Sequence, residues 1–283
     1  SSVYAATGAS HSIACGRVSY VLGLHGPCVS YDTACSAALT AYHASLSALQ
    51  LEECQDGLAA GINLMLTPSN AITFAIAGLT SLLGRSYTFD ARAAGYARAE
   101  ACGATALRRQ RERSTGRSHR ALGGLVRQDG RSASLTAPNG RAQQDLLAAT
   151  LSGAEMAADT LTLSEAHGTG TSLGDPIETR SIRAALLAVR SDSPLAVGGI
   201  KANIGHAESA AGMTGLLKLA LGLRAGEAAS NAQLRLINPH VGSALHGRLC
   251  MLCLQLGATA PKRAARGVAE PITIRLSFFR RIN

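Results

Sequence analysis

The stretch YDTACSAALTAYHAS, Tyr31–Ser45, sets a cysteine between Asp-Thr-Ala and a run of small residues. Cys28–Tyr31 is rich in β-formers and reads as a short strand. Ala, Leu, Ser and Thr fill Ser36–Leu51, which predicts a helix that can be buried on nearly all sides. Cys35 then falls at a helix N-terminus. Taken alone, such a cysteine is more often a small buried residue than a nucleophile.

The chemistry of that position nevertheless suits a nucleophile. The thiolate is the reactive form, and a cysteine in water ionises at about 8.5. Unpaired N–H groups and the dipole of a helix N-terminus favour the anion. The same N–H groups can serve an oxyanion beside the sulfur. Ala34 and Ser36–Ala38 are small and leave room for a sharp turn and a substrate.

Two more units repeat the plan. LTLSEAHGTGTSLGDPIETRSIRAALLAV, Leu161–Val189, reads as strand, glycine-rich loop and helix, with Asp175 as N-cap and Pro176 at the first helical position. PLAVGGIKANIGHAESAAGMTGLLKLALGL, Pro194–Leu223, reads as strand, loop and a buried helix over Ser209–Leu223. Between Cys35 and these units, a buried strand is expected over Leu58–Leu66, a helix from Ser69, and a helix over Arg141–Leu151. Strands alternating with helices predict an α/β layered fold. In such sheets sites form at the carboxyl ends of strands, where Cys35, His167 and His206 all fall. Three reactive side chains on matching elements make a site where each alone would not.

Composition narrows the alternatives. Of 283 residues, 47% are hydrophobic and 16% charged, a balance for a buried globular core rather than disorder. The net charge is +9, densest in the segment Arg108–Arg120. That segment lacks interleaved aromatics, so a solvated basic surface loop is expected and nucleic acid is not. Residues 57–84 carry no charge, but Pro68-Ser69-Asn70 divides them, which argues against a membrane span. The seven cysteines are scattered and odd in number, with no leader-like segment before them. A reducing compartment is expected, cytoplasmic or plastid-like, and not secretion. Cys250 and Cys253 form a single C-x-x-C pair, too little for a zinc site, and no metal is expected. The GTGTSLG loop lacks both Walker and G-x-G-x-x-G spacing, so no nucleotide is expected either.

The blocks DTACSAALTAYHAS (Asp32–Ser45), EAHGTGTSLGDPIE (Glu165–Glu178) and GGIKANIGHAESAAGMTGLLK (Gly198–Lys218) resemble the signature blocks of β-ketoacyl synthases. The variety they resemble is the ketosynthase domain of polyketide synthases. FDARAAGYARAEACG (Phe89–Gly103) and QDGRSASLTAPNGRAQ (Gln128–Gln143) resemble two further family segments, in the same order. The resemblance implies a thiolase-like αβαβα fold and decarboxylative Claisen condensation. It implies Cys35 as acyl-accepting nucleophile and His167 and His206 as the histidines that polarise a malonyl-type thioester. Lys201 would organise the His167 side, and Asp175 and Glu178 would hold that loop and its lysine. Thr169 and Thr171 would bind pantetheine. No bound cofactor is implied, since substrates ride on the phosphopantetheine of an acyl carrier protein. A homodimer and neighbouring polyketide synthase domains are implied as partners.

On this resemblance, residues 1–245 form the ketosynthase core, lacking most of the family's first half, and 246–283 a divergent C-terminal segment. GVAEPITIRLSFFRRIN stands where the family has a glycine-rich block with a gating Phe, and Phe278 and Phe279 do not match it. Ala94 and Ala101 stand where Asp and Gly are usual, and Ala202 where Ser is usual; Ala101 is expected to strain a glycine position. Missing packing partners predict exposed apolar faces and a chain of low stability unless dimerised or completed. The same departures leave a second reading: a catalytically impaired ketosynthase remnant that only binds carrier protein or other partners.

Overall fold

The computed structural model describes residues 2–109, 119–191, 193–248, 250–252 and 273–277, in which helices and strands are interspersed along the chain. Helices α1 (Ala5–Ala9) and α2 (His11–Leu22) come first, and α2 stops at Gly23 in the left-handed conformation. A 3-10 turn, Ala34–Ser36, leads into α3 (Ala37–Gln50). Strand β1 (Asp56–Asn63), helix α4 (Ser69–Ile76) and strand β2 (Ala101–Arg108) follow. Next are β3 (Arg120–Leu125), α5 (Gly140–Gly153) and β4 (Leu163–Glu165). Helix α6 (Gly174–Ile182) runs on into a π-turn, Arg183–Leu187. The remaining elements are β5 (Leu195–Gly198), α7 (Lys201–Ile204), α8 (Ala211–Ala225), α9 (Pro239–Leu245), β6 (Cys250–Leu252) and β7 (Thr273–Ser277).

Three small sheets organise these elements. β1 pairs antiparallel with β2, β3 parallel with β7, and β4 and β6 flank β5 in parallel. Helices α3 and α8 pack against each other. α8 touches β1 and β2 as well as β4, so helix is sandwiched between sheets. On the far side, α5, α6 and α9 pack together. One apolar cluster joins Ala38 and Tyr42 of α3, Ala59 of β1, and Met213 and Leu216 of α8. A second gathers Phe89, Leu147, Ile182, Leu187, Leu195, Val197 and Val241 around the parallel sheet.

Small residues make the contacts of α3 with α8 and with β1 possible. A Cβ on Gly212 would lie 2.2 Å from Leu39 Cγ, and one on Gly61 would lie 2.6 Å from Ala38 Cβ. A core with no Trp and few aromatics therefore closes by bringing backbones together rather than by filling space with rings. Local signals set several helix ends. The Asn139 side chain accepts from the Arg141 and Ala142 N–H groups to cap α5, and Asn238 caps α9 with Pro239 behind it.

The structure corrects several expectations. Cys28–Tyr31 is exposed chain that pairs with no strand among the described residues, because β-propensity without a partner ladder makes no strand. The strand expected over Leu58–Leu66 is β1. Only Ala59 and Gly61 are buried in it, while Leu58, Ile62, Leu64 and Leu66 are exposed. Asp175 is not an N-cap: α6 starts at Gly174, and Asp175 lies one residue inside with its carboxylate turned back to other loops. Ala101 opens β2 without a left-handed φ, so the expected strain is not there. Cys253, Phe278, Phe279 and residues 110–118 of the basic run lie outside the described residues. Arg108 ends β2 in an ion pair with Asp56, and Arg120 opens β3.

The expected exposed apolar faces are present. Neither α2 nor α4 buries a residue, and Tyr20, Val21, Leu66, Ile76 and Leu82 stand in solvent. Among the described residues no helix is long and apolar enough to cross a membrane.

Candidate active site

Cys35 occupies the 3-10 turn ahead of α3, directly after Ala34, whose φ of 52° is left-handed. A side chain in that region is strained, and such strain gathers at functional sites. Thr33 and Ser36 lock the turn: the Ser36 hydroxyl donates to the Thr33 carbonyl at 2.8 Å. The turn thus puts the sulfur at the head of α3 without a paired strand before it.

His167 follows β4, and His206 follows β5 after the short helix α7. Both loops meet the Cys35 turn. The Cys35 sulfur and one ring nitrogen from each histidine all lie within 4.8 Å of one another. The histidine rings meet edge to face, with centroids 5.7 Å apart at 90°. His206 is also met by the Tyr96 ring, 4.8 Å away at 75°.

The backbone of the His167 loop is held by the two acidic residues of α6. Glu178 accepts from the His167 and Gly168 N–H groups, and Asp175 accepts from Gly170 at 3.1 Å and from Phe89 at 2.8 Å. Burial pushes Asp175 up to about 6 and Glu178 up to about 7, against the pull of these N–H groups and of Lys201. Lys201 is buried at the start of α7 and donates to the His167 carbonyl. Burial lowers its ammonium pKa, opposed by Glu165, Glu178, Cys35 and Asp175 nearby. The acids therefore grip the loop's N–H groups while the lysine grips its carbonyl. Thr169 and Thr171 lie on the same loop with their hydroxyls 3.3 Å apart, and Thr171 accepts from the Gly174 N–H.

Both imidazoles are held neutral. Burial, aided by Lys201, lowers His167 to about 3, and burial with Lys201 and His167 lowers His206 well below the usual range. The Glu208 N–H donates to His206 Nδ1 at 3.1 Å, which leaves the ring proton on Nε2. His206 is thus arranged as a hydrogen-bond donor that carries no charge.

The structure places Cys35, His167, His206 and Lys201 close together, with Asp175, Glu178, Thr169 and Thr171 around them. Residues the motifs did not single out complete the surroundings. Thr88, fully buried, donates to the Gly168 carbonyl at 2.6 Å. Phe89 holds a left-handed φ of 63°, fixed between the Asp175 carboxylate and the Asn238 N–H. Phe89 opens the segment that resembles a family block and Thr88 directly precedes it, but neither a φ angle nor a contact across the chain is written there.

Comparison with known proteins bears on the family and the fold. A model described as beta-ketoacyl synthase, N-terminal domain, matches residues 1–113, and one described as beta-ketoacyl synthase, C-terminal domain, matches residues 120–235. An oxazolomycin ketosynthase domain from Streptomyces albus superposes with TM-score 0.83 at 34% identity, covering 90% of this chain and 46% of that one. A ketosynthase from module 6 of the Bacillus subtilis bacillaene synthase gives 0.82 at 30%, covering 88% and 45%. The layered fold is thus thiolase-like, the fold of ketosynthase domains. The chain belongs to the β-ketoacyl synthase family. A phenolphthiocerol/phthiocerol polyketide synthase of Mycobacterium tuberculosis is 41% identical over 244 residues, 84% of this chain. The chain spans 13% of that relative's length and about half of the solved ketosynthases it matches.

Proposed function

We propose that this chain acts as a polyketide-synthase-type ketosynthase: it accepts an acyl group on Cys35 and extends it by decarboxylative condensation. The observation that carries this reading is the meeting of the Cys35 sulfur with two uncharged imidazoles within 4.8 Å. A thiolate is both a good nucleophile and a good leaving group, as thioester exchange requires.

In the first half-reaction the Cys35 thiolate attacks the carbonyl of a carrier-protein thioester. The tetrahedral intermediate collapses and breaks the bond to the pantetheine sulfur, which leaves as a thiol carrying the proton that the Cys35 thiol gave up. In the second, a malonyl-type thioester enters with its carbonyl oxygen facing His167 and His206. The C–C bond to the carboxylate breaks, CO₂ departs, and the electron pair forms an enolate stabilised by imidazole N–H donors. The enolate carbon then attacks the acyl-Cys35 carbonyl, and the sulfur leaves as thiolate. Neutral donors serve because they stabilise developing charge without surrendering a proton to it. Lys201, Asp175 and Glu178 keep the His167 loop in place, and Thr169 and Thr171 face the pantetheine arm.

On this reading the partners are an acyl carrier protein and neighbouring polyketide synthase domains, and the exposed apolar side chains of α2 and α4 support a homodimer. The core extends over residues 1–245. The test is incubation with an acyl-pantetheine thioester followed by intact-mass measurement. A mass gain equal to the acyl group, absent in Cys35→Ala, is expected. A folded chain that takes up no acyl group would favour the binding-only remnant instead.

A further inference from the structure

We infer that Arg98 and Glu208 form a positioning pair that fixes the tautomer and ring plane of His206. The inference rests on the reading above, in which His206 donates a hydrogen bond to the enolate oxygen.

Four independent contacts converge on His206 from one neighbouring segment and its own loop. The His206 N–H donates to the Ala97 carbonyl at 2.7 Å, and the Ala99 N–H donates to the His206 carbonyl at 2.9 Å. The backbone is therefore gripped from both sides by residues 97–99. The Tyr96 ring meets the imidazole edge on. The fourth contact, from the Glu208 N–H to Nδ1, decides which ring nitrogen carries the proton.

That fourth contact depends on an unusual backbone. Glu208 has a φ of 39°, in the left-handed region that a side chain disfavours. Such a conformation persists only where its surroundings over-determine it. Arg98 supplies the restraint: its guanidinium grips both carboxylate oxygens of Glu208, with Nη2 to Oε2 at 3.0 Å. The pair is largely buried, with side-chain exposures of 9% and 18%. A fork of this kind fixes direction as well as distance. Phe74 of α4 lies under the guanidinium at 5.2 Å and limits its sideways movement.

Without this restraint the Glu208 N–H would swing away and the neutral imidazole would divide between its two tautomers. The Nδ1–H form turns a lone pair, not a donor, toward the enolate. Arg98 reaches His206 through Glu208, whose N–H meets the imidazole, so the pair acts by positioning that ring.

The test uses the 283-residue chain with ¹⁵N-labelled histidine. Nuclear magnetic resonance of the ring nitrogens reads the His206 tautomer directly, and His206→Ala assigns its signals. The unsubstituted chain is expected to show one Nε2–H form. Arg98→Gln and Glu208→Gln are expected to show a mixture and to lose malonyl-thioester decarboxylation at least about tenfold, the scale on which outer partners of a functional imidazole act. Acylation of Cys35 should change much less. Arg98→Lys keeps the charge but not the fork, so it should recover part of the loss; it also serves if Arg98→Gln fails to fold. A single Nε2–H form in folded Arg98→Gln and Glu208→Gln would overturn the inference, whatever the activity. A mixed tautomer with unchanged decarboxylation would support the positioning pair and overturn instead the role given to His206.

Discussion

The Lys218 ammonium on α8 reaches the Glu165 carboxylate at the end of β4, with Nζ and Oε2 2.7 Å apart and both side chains largely buried. The other oxygen of Glu165 accepts from the Ile200 N–H, one residue before Lys201. One carboxylate thus ties together the strand that leads to His167, the turn that carries Lys201, and the helix that backs both.

Breaking that tie by Lys218→Met leaves a buried carboxylate without its directly paired ammonium, with the Ile200 N–H and the charge of nearby Lys201 left to offset it. The expected cost is about 3–5 kcal/mol, read as a shift in the denaturant midpoint. Adding Glu165→Gln removes the orphan charge while keeping an acceptor for Ile200, so the double variant should recover much of the loss. If the double variant is less stable than the single one, the pair is not acting through buried charge.

His206→Ala removes one donor from the proposed enolate site and leaves the sulfur in place. Malonyl-thioester decarboxylation should fall about 10²–10³-fold, the usual effect of deleting one oxyanion donor. Cys35 acylation, followed by intact mass, should continue. Parallel loss of both steps would show that the ring supports the fold of the Cys35 turn rather than the enolate.

The pH profile follows from how the histidines are held. His167 stays neutral in the folded chain down to about 3, whereas in the unfolded chain it takes up a proton near 6.5. Between those values the unfolded chain binds more protons. The contribution of His167 to stability is therefore intact above 6.5 and declines as the pH falls from 6.5 toward 3. Decarboxylation by folded protein should accordingly show no acid limb from His167 near 6.5; a limb there would come from Asp175 or Glu178, held at about 6 and about 7. A limb near 6.5 that survives in Glu178→Gln and in Asp175→Asn would mean that an imidazole of ordinary basicity does the work.

Gly170 lies between the two threonines of the His167 loop with a φ of +77°, and an added Cβ would meet the Tyr87 nitrogen at 2.7 Å. Gly170→Ala should destabilise the chain by about 1–3 kcal/mol, seen as a lower melting temperature. Decarboxylation should fall as well, because the same loop carries His167. An unchanged melting temperature would show that the loop can refit around a methyl group.

What is legible in the sequence and what is not divides along physical lines. The residues that carry the chemistry lie in contiguous blocks, so Cys35, His167, His206 and Lys201 can be read from their neighbours. Helices α3, α5 and α8 are legible too, since runs of small and apolar residues and an Asn cap act over a few positions. Cys28–Tyr31 reads as a strand and is none, because a strand is completed by a partner and propensity does not supply one. Asp175 reads as a local cap and is none, because its carboxylate reaches Phe89, far away in the chain. The grip of Arg98 on Glu208 and the left-handed backbones of Ala34, Phe89 and Glu208 leave no periodic trace in the sequence. The sequence by itself determined which side chains are available for the proposed acyl transfer. Only the tertiary structure decided which of their hydrogen atoms point where, because that depends on hydrogen bonds and burial made between segments distant in the chain.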